Sequence, residues 1–309
     1  MTKKVACFGN PVYDLILTPS SHGLNRVLSG CSTNACLALS KLGVTSFLIG
    51  SVGNDYSAML RNDLVRRGIE FELYESNQTG GFKLEYYDNH GNRNLSVLGV
   101  ADEIQVVPLP FLKDIDFIIL GPILGEIKKD FGSFLSKSTS APILFDPQGA
   151  LRKIKDGKVV HEISEDFVEL ARVSTILKAN ELETETVTGI SPRSNPRKAV
   201  EALHKYGARI SIVTLADAGS IIFDGNQFVE IPAYATNAVD PTGAGDTYAA
   251  GFSYKFLENP QELWNAGCFA SSVASIMVEN TGPDFPLTLA EATQRMNSLL
   301  ERSLKLKIN

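Results

Sequence analysis

The chain is poor in several features that would place it in a specialised class of protein. Its 309 residues include four cysteines and no Cys-x-x-Cys pair. The cysteines lie in apolar segments, where a free thiol packs as a small hydrophobic group. Such cysteine usage predicts a reducing compartment, and the cytoplasm is the expected location.

No apolar run is long enough to cross a bilayer. The longest one near the end of the chain, residues 266–278, is interrupted by serines, and the first is broken by Asn10, Pro11 and Asp14. The net charge is −6 with both signs interspersed, so no basic patch is available for nucleic acid. We therefore expect neither a membrane nor a nucleic acid as partner.

Two common phosphate-binding motifs are absent as well. No Gly-x-x-x-x-Gly-Lys-[Ser/Thr] sequence occurs, which excludes a P-loop. The Gly-x-Gly turn at residues 243–245 is not a dinucleotide fingerprint, because Tyr248 stands where its third glycine is required.

With 44% apolar residues the chain can bury a large core, and we expect one α/β domain over residues 1–309 with a small appendage.

Residues 240–246 read Asp-Pro-Thr-Gly-Ala-Gly-Asp and lead directly into an amphipathic helical pattern. A glycine-rich turn that opens a helix leaves backbone N–H groups unpaired at the positive end of the helix dipole, which makes an anion site. Asp246 would repel phosphate there unless it takes a proton from a nucleophile that attacks the phosphate. The alternative is an ordinary first-turn carboxylate that stabilises the helix.

This string resembles the C-terminal signature of the ribokinase-like (PfkB) family of ATP-dependent carbohydrate and nucleoside kinases. The resemblance implies that Asp246 is the catalytic base and that the amides of Gly243, Ala244, Gly245 and Asp246 stabilise the transferring phosphoryl group. Thr242, Gly243 and Gly245 would also bind ATP. The implied fold is a three-layer α/β/α sandwich with a mostly parallel central sheet and a β lid. Apolar runs that alternate with helical periods in the second half favour the same fold.

Two stretches of the first half match the family in the right order. Asp14 follows the first predicted strand and resembles an aspartate that holds sugar hydroxyls. Residues 29–35, Ser-Gly-Cys-Ser-Thr-Asn-Ala, resemble the N-terminal signature, with Ser29 in place of its first glycine. Gly30 and Asn34 would then bind the acceptor; the alternatives are a turn residue at position 14 and plain helix capping and packing at the other two.

A candidate magnesium site follows a later strand. Asn180 and Glu183 match the family's Asn-x-x-Glu motif, which organises Mg²⁺ and its water shell. Their spacing of three places both on one helix face, and oxygen donors are those that Mg²⁺ prefers. The alternative is an acidic first helical turn.

A candidate nucleotide loop lies at residues 214–219. It resembles the family's Thr-x-Gly-x-x-Gly, so Thr214, Ala216 and Gly219 would bind ATP, with Ala216 replacing a glycine. Alanine is accommodated there if its φ is negative. By the same resemblance, residues 280–282 would help place ATP or a monovalent cation.

The lid is predicted from two segments, residues 14–28 and 71–100. The second has period-two patterns on either side of a turn at 88–92, and one face would carry Phe82, Leu84 and Tyr86, to close over a substrate or merely to pack. The first segment is shorter than in ribokinases. We therefore expect a small, reduced lid, which argues against dimerisation through the lid. A homodimer is still the candidate assembly.

The order of these motifs predicts an ATP-dependent kinase that phosphorylates a primary hydroxyl. The compact lid, and the resemblance of residues 121–126 to the archaeal nucleoside kinases, favour the 5′-hydroxyl of a nucleoside. A free sugar such as ribose or fructose is the alternative acceptor. A non-catalytic ligand-binding relative is a second alternative, against which the intact Asp246 argues.

Overall fold

The computed structural model describes residues 2–18, 21–22, 25–87 and 93–308. The strands in these ranges are β1 Lys4–Phe8, β2 Val12–Thr18, β3 Ser21–His22, β4 Val27–Ser29, β5 Thr45–Gly53, β6 Glu70–Ser76, β7 Gly81–Tyr86, β8 Arg93–Gly99, β9 Phe117–Leu120, β10 Ile143–Phe145, β11 Arg152–Lys155, β12 Lys158–His161, β13 Ile176–Ala179, β14 Ile210–Thr214, β15 Ser220–Phe223 and β16 Phe228–Ile231. The α-helices are α1 Cys31–Lys41, α2 Ser57–Arg66, α3 Lys129–Ser138, α4 Glu165–Val173, α5 Glu181–Thr188, α6 Pro196–His204, α7 Ala244–Phe256, α8 Leu263–Val278 and α9 Leu289–Ile308.

The central sheet has nine strands in the order β16-β15-β14-β13-β10-β9-β1-β5-β6. Seven of them, from β14 to β6, run parallel, and the β15–β16 hairpin is antiparallel at one edge. Strands β9, β10 and β13 are buried along their whole length. Continuous apolar runs of this kind are expected when helices cover both faces of a parallel sheet.

Helices cover both faces and form two separate cores against the sheet. One core includes buried side chains of α1, α2, α7, α8 and α9, and the other those of α3, α4, α5 and α6. The three-layer α/β/α architecture expected from the sequence is therefore confirmed. None of the helices in the described ranges combines the length and the apolar character needed to cross a bilayer.

A second sheet forms the lid, in the order β11-β12-β8-β7-β2-β3 with β4 paired to β2. It differs from the prediction in two respects. Strand β6, predicted as lid, pairs in parallel with β5 and belongs to the central sheet. The lid gains instead the hairpin β11–β12, so it is not reduced in the way that the short first segment indicated.

The β11–β12 hairpin, which was not predicted from the sequence, has a recognisable turn. Asp156 and Gly157 lie between its strands, with φ of +50° and +75°. Positive φ at both central residues is the property of the two-residue turns that favour Asp-Gly. The predicted turn at 88–92 lies outside the described residues.

The carboxyl ends of the parallel strands converge on the amino end of α7, where ligands of open α/β sheets bind. The amino end of α1 is attached to the same edge, because the Ser32 hydroxyl donates to the Phe8 carbonyl at 2.7 Å. Asp14, predicted at the end of β1, lies in lid strand β2 instead. The site is therefore built from the sheet edge, two helix starts and the lid.

Candidate active site

The turn at residues 240–246 has the predicted geometry. Gly243 adopts φ +81° immediately before α7, and the Thr242 amide donates to Asp240 Oδ1 at 2.9 Å. Across the described part of the chain, the amides of Gly243, Gly245 and Asp246 have no hydrogen-bond partner. Three unpaired N–H groups at the start of a thirteen-residue helix form an anion site.

One of the four predicted donors already has a partner within the turn. The Ala244 amide donates to the Pro241 carbonyl at 3.2 Å and so closes the turn. The sequence could not separate these amides, because which N–H closes a turn depends on its backbone angles.

Both glycines have a polar side chain close to their backbone. A Cβ on Gly243 would lie 3.0 Å from Asn34 Nδ2, and one on Gly245 would lie 2.9 Å from Lys178 Nζ. The first position also has a left-handed φ, which disfavours any side chain. The turn therefore allows two polar side chains to approach its backbone.

Asp246, the candidate base, is half-buried beside the turn, and its Oδ2 accepts a hydrogen bond from Asn34 Nδ2 at 2.9 Å. Burial raises the pKa of the Asp246 carboxyl, and the negative charge of Asp146 raises it further. The Asn34 amide and the Lys178 ammonium act in the opposite direction on that pKa. The arrangement brings the base closer to the range in which general bases are effective.

Asp146 and Lys178 were not among the predicted site residues. They form a buried ion pair that connects the end of β10 to β13. Their signal in the sequence was weak: each occurs at the polar end of an apolar run, as several other residues do. Burial would lower the pKa of Lys178, but the charges of Asp146 and Glu183 raise it, so the ammonium stays charged.

The predicted acceptor residues occupy two places. Asp14 is buried in the lid, and its Oδ1 accepts a hydrogen bond from the Phe82 amide at 2.7 Å. Gly30, with φ +113°, precedes α1 and accepts a hydrogen bond from the Asn34 amide at 2.8 Å. The Asn34 side chain is hydrogen-bonded to the candidate base, Asp246. Its predicted role in sugar binding did not include this contact.

The lid lies against the anion turn. Tyr86 in β7 and Thr242 share a hydroxyl–hydroxyl hydrogen bond of 2.9 Å. Phe82, Leu84 and Tyr86 are all buried and pack with Val12 and Ile123. Of the two alternatives for this apolar face, the structure supports packing.

The residues of the Asn-x-x-Glu motif form a capping box at the start of α5. The Glu183 amide donates to Asn180 Oδ1 and the Asn180 amide to Glu183 Oε2, both at 2.9 Å. Burial and the charge of Asp146 raise the pKa of Glu183 to about 7. The accepting atoms, Asn180 Oδ1 and Glu183 Oε2, are oxygens of the type Mg²⁺ prefers, and a divalent cation would offset the repulsion that raises this pKa. The donor set therefore fits a magnesium ion held through water.

The candidate nucleotide loop differs from the expected backbone conformation at Ala216. Ala216 has φ +47°, not the negative value expected for an alanine in this position. Thr214 ends β14, and Gly219 has φ +90° and lies where a Cβ would meet the Ile231 carbonyl oxygen at 2.0 Å. The loop keeps the glycine-type backbone although the first glycine is replaced.

The fold and this site define an α/β protein that presents an anion turn beside a half-buried carboxylate. A family model, pfkB family carbohydrate kinase, matches residues 2–289. The chain belongs to this family. It is a phosphotransferase with an alcohol group as acceptor.

Curated relatives resemble the chain at modest identity. A nucleoside kinase of Methanothermobacter thermautotrophicus is 28% identical over 84% of this chain and 81% of its own length. A cytidine kinase of Thermococcus kodakarensis is 25% identical over 72% and 77%. A ribokinase of Bacillus subtilis is 24% identical over 91% and 94%.

Solved structures show the same fold. A pyrophosphate-dependent myo-inositol-1 kinase converted into a myo-inositol-3 kinase has a TM-score of 0.79 at 23% identity, covering 95% of this chain and 98% of its own. The nucleoside kinase of Methanocaldococcus jannaschii has a TM-score of 0.72 at 21% identity, covering 96% and 99%. The ribokinase-like fold expected from the sequence is confirmed.

Proposed function

We propose that the chain is an ATP-dependent kinase that transfers the γ-phosphate to the 5′-hydroxyl of a nucleoside. One observation carries the chemistry: the Asp246 carboxylate, hydrogen-bonded to Asn34 at 2.9 Å, lies in the first turn of a helix with three unpaired amides at its start. A base and an anion site side by side are what phosphoryl transfer to a hydroxyl requires.

Each group then has a defined task. Asp246 takes the proton of the acceptor hydroxyl as that oxygen bonds to the γ-phosphorus. The β–γ bridging oxygen leaves with the electron pair of its bond to phosphorus, and the amides of Gly243, Gly245 and Asp246 stabilise charge on the transferring group. Asp14 and Gly30 would hold the acceptor, and Asn34 would orient the base.

The nucleotide would lie along the loop formed by Thr214, Ala216 and Gly219 and reach Thr242. Asn180 and Glu183 would hold Mg²⁺ through water, and the ion would supply charge neutralisation for the triphosphate. A small-molecule acceptor and ATP are thus the partners we infer.

The acceptor assignment is supported by the kinship with nucleoside and cytidine kinases. The argument from a reduced lid no longer supports it, because the lid contains the additional β11–β12 hairpin. The ribokinase relative favours a free sugar as the second candidate.

The test is an assay of ADP release with ATP and Mg²⁺ across nucleosides, ribose, fructose and myo-inositol. We expect the highest kcat/KM with a nucleoside. A preference for ribose or fructose would identify a free sugar as the acceptor in place of a nucleoside, and the proposed reaction type would stand. Thermal stabilisation by an acceptor without ADP release would support the non-catalytic alternative.

Asp246→Asn tests the reaction itself. A positioned general base contributes at least ~10²-fold to rate, so kcat should fall by that factor while the acceptor still binds. The matched control is Asp130→Asn, an exposed aspartate in the first turn of α3, which should leave kcat unchanged. Full turnover by the Asp246 variant would remove the proposed base.

A further inference from the structure

The ion pair between Lys178 and Asp146 has no task in the reaction described above. Both side chains are almost fully buried, at 3% and 4% exposure. Removing two charges from water is costly, and a buried pair is on average no better for stability than apolar residues of the same size. A buried pair at a site edge therefore calls for a reason other than stability.

The position of the Lys178–Asp146 pair beside the anion turn suggests a reason for its presence. Lys178 Nζ occupies the space beside Gly245, 2.9 Å from where a Cβ would stand. Carboxylate oxygens of Asp146 and Asp246 and the Cys31 thiol lie within 4.8 Å of one another. The ammonium is thus next to the anion turn and to two carboxylates.

Carboxyl groups outnumber cations among the groups around this point. The groups that face Lys178 are Asp146, Glu183 and Cys31, and those that face Asp246 are Asp146, Lys178 and Cys31. The incoming phosphates would add more negative charge to this group. Without a fixed positive charge, the anion turn would lie beside an excess of carboxylates.

We propose that Lys178, held in place by Asp146, is a further residue of the phosphoryl-transfer centre and supplies fixed positive charge beside the anion turn. The inference rests on the proposed roles of Asp246 and the turn. Lys178 gives and takes no proton; it offsets charge on the transferring group. Asp146 is a positioning residue that holds the ammonium against Gly245. Charge that is oriented before the reaction is the most effective kind of transition-state stabilisation.

The first test replaces the pair by neutral residues of similar size, Asp146→Asn with Lys178→Gln. The double variant removes both charges of the pair together, so we expect it to unfold at the wild-type temperature and to bind the acceptor with unchanged Kd. We expect kcat to fall about 10²-fold, as when one charge-stabilising donor is removed from an active site. Lys129→Gln with Glu165→Gln, an exposed ion pair, is the control and should retain full kcat.

A double variant with wild-type Tm and wild-type kcat would overturn the proposal and leave the pair as a structural feature. If Asp246→Asn also keeps full turnover, the proposed site fails as a whole. If only the pair variant keeps it, this inference alone fails.

A second measurement needs no variant and therefore does not depend on folding of the double mutant. The protein labelled with ¹⁵N-lysine is titrated with ADP, Mg²⁺ and beryllium trifluoride in the presence of the acceptor. We expect the Lys178 ammonium resonance to shift on saturation, because the trifluoroberyllate occupies the place of the transferring group. An unshifted resonance in the saturated complex would overturn the proposal.

Discussion

Ala216 shows how a single residue can keep a backbone that its side chain disfavours. It is one of two described non-glycine residues with positive φ, the other being Asp156 in a hairpin turn. A left-handed conformation costs an L-residue about 1–2 kcal/mol. The loop tolerates this cost because the Gly219 amide donates to the Ala216 carbonyl at 3.2 Å and Leu215 is tied to Gly219 on the other side.

We expect Ala216→Gly to raise the free energy of unfolding by up to about 1 kcal/mol, since relief of strain exceeds the added entropy of the unfolded chain. Urea denaturation measures this. Ala218→Gly, in the same short helical turn but without positive φ, is the control and should lower the free energy of unfolding. A less stable glycine variant at position 216 would contradict the explanation.

At the scale of elements, a hydrogen bond between Tyr86 of β7 and Thr242 joins the lid to the anion turn. The bond connects the strand that presents its amide to Asp14 with the turn that precedes α7. It therefore couples the lid strand to the anion turn. The sequence of neither element predicts this hydrogen bond, because the two residues lie 156 positions apart.

Tyr86→Phe keeps the buried ring and removes the hydroxyl. A hydrogen bond contributes about 1 kcal/mol, so we expect the acceptor KM to rise about fivefold with little change in kcat. Tyr87→Phe, at an exposed neighbouring tyrosine, is the control and should have no effect.

The same bond can be tested from its other end. Thr242→Val should raise the acceptor KM as Tyr86→Phe does, and the double variant should be no worse than either single one. Additive effects of the two substitutions on KM would show that the hydroxyls act independently.

For the whole molecule, the capping carboxyl of Glu183 makes stability depend on pH. Its pKa is about 7 in the folded protein, above the ordinary value of 4.5, because burial and the charge of Asp146 disfavour ionisation. Between these two values the folded state holds more protons than the unfolded state. The Glu183 contribution to the free energy of unfolding therefore decreases as the pH rises through this window.

We expect Glu183→Gln to remove that contribution. The difference in free energy of unfolding between wild type and variant should change with pH between about 4.5 and 7, by at most about 1.4 kcal/mol per pH unit. Denaturation in magnesium-free buffer at several pH values measures it. A difference that is constant over this window would show that Glu183 is ionised throughout.

The sequence by itself determined the features that depend on local patterns. Apolar runs that alternate with helical periods predicted the parallel sheet of the second half, and the glycine turn predicted the start of α7 with Asp246 in its first turn. These follow from backbone geometry and from burial on both faces of a parallel sheet, which short stretches of chain already encode.

Only the tertiary structure decided which polar groups meet. Asn34 and Asp246 are 212 positions apart, and their hydrogen bond exists because α1 and α7 begin at the same sheet edge. The Lys178–Asp146 pair likewise arises from neighbouring parallel strands, β10 and β13. Local spacing contains no information about such contacts, because strand order and helix docking, not nearness in the chain, bring these side chains together.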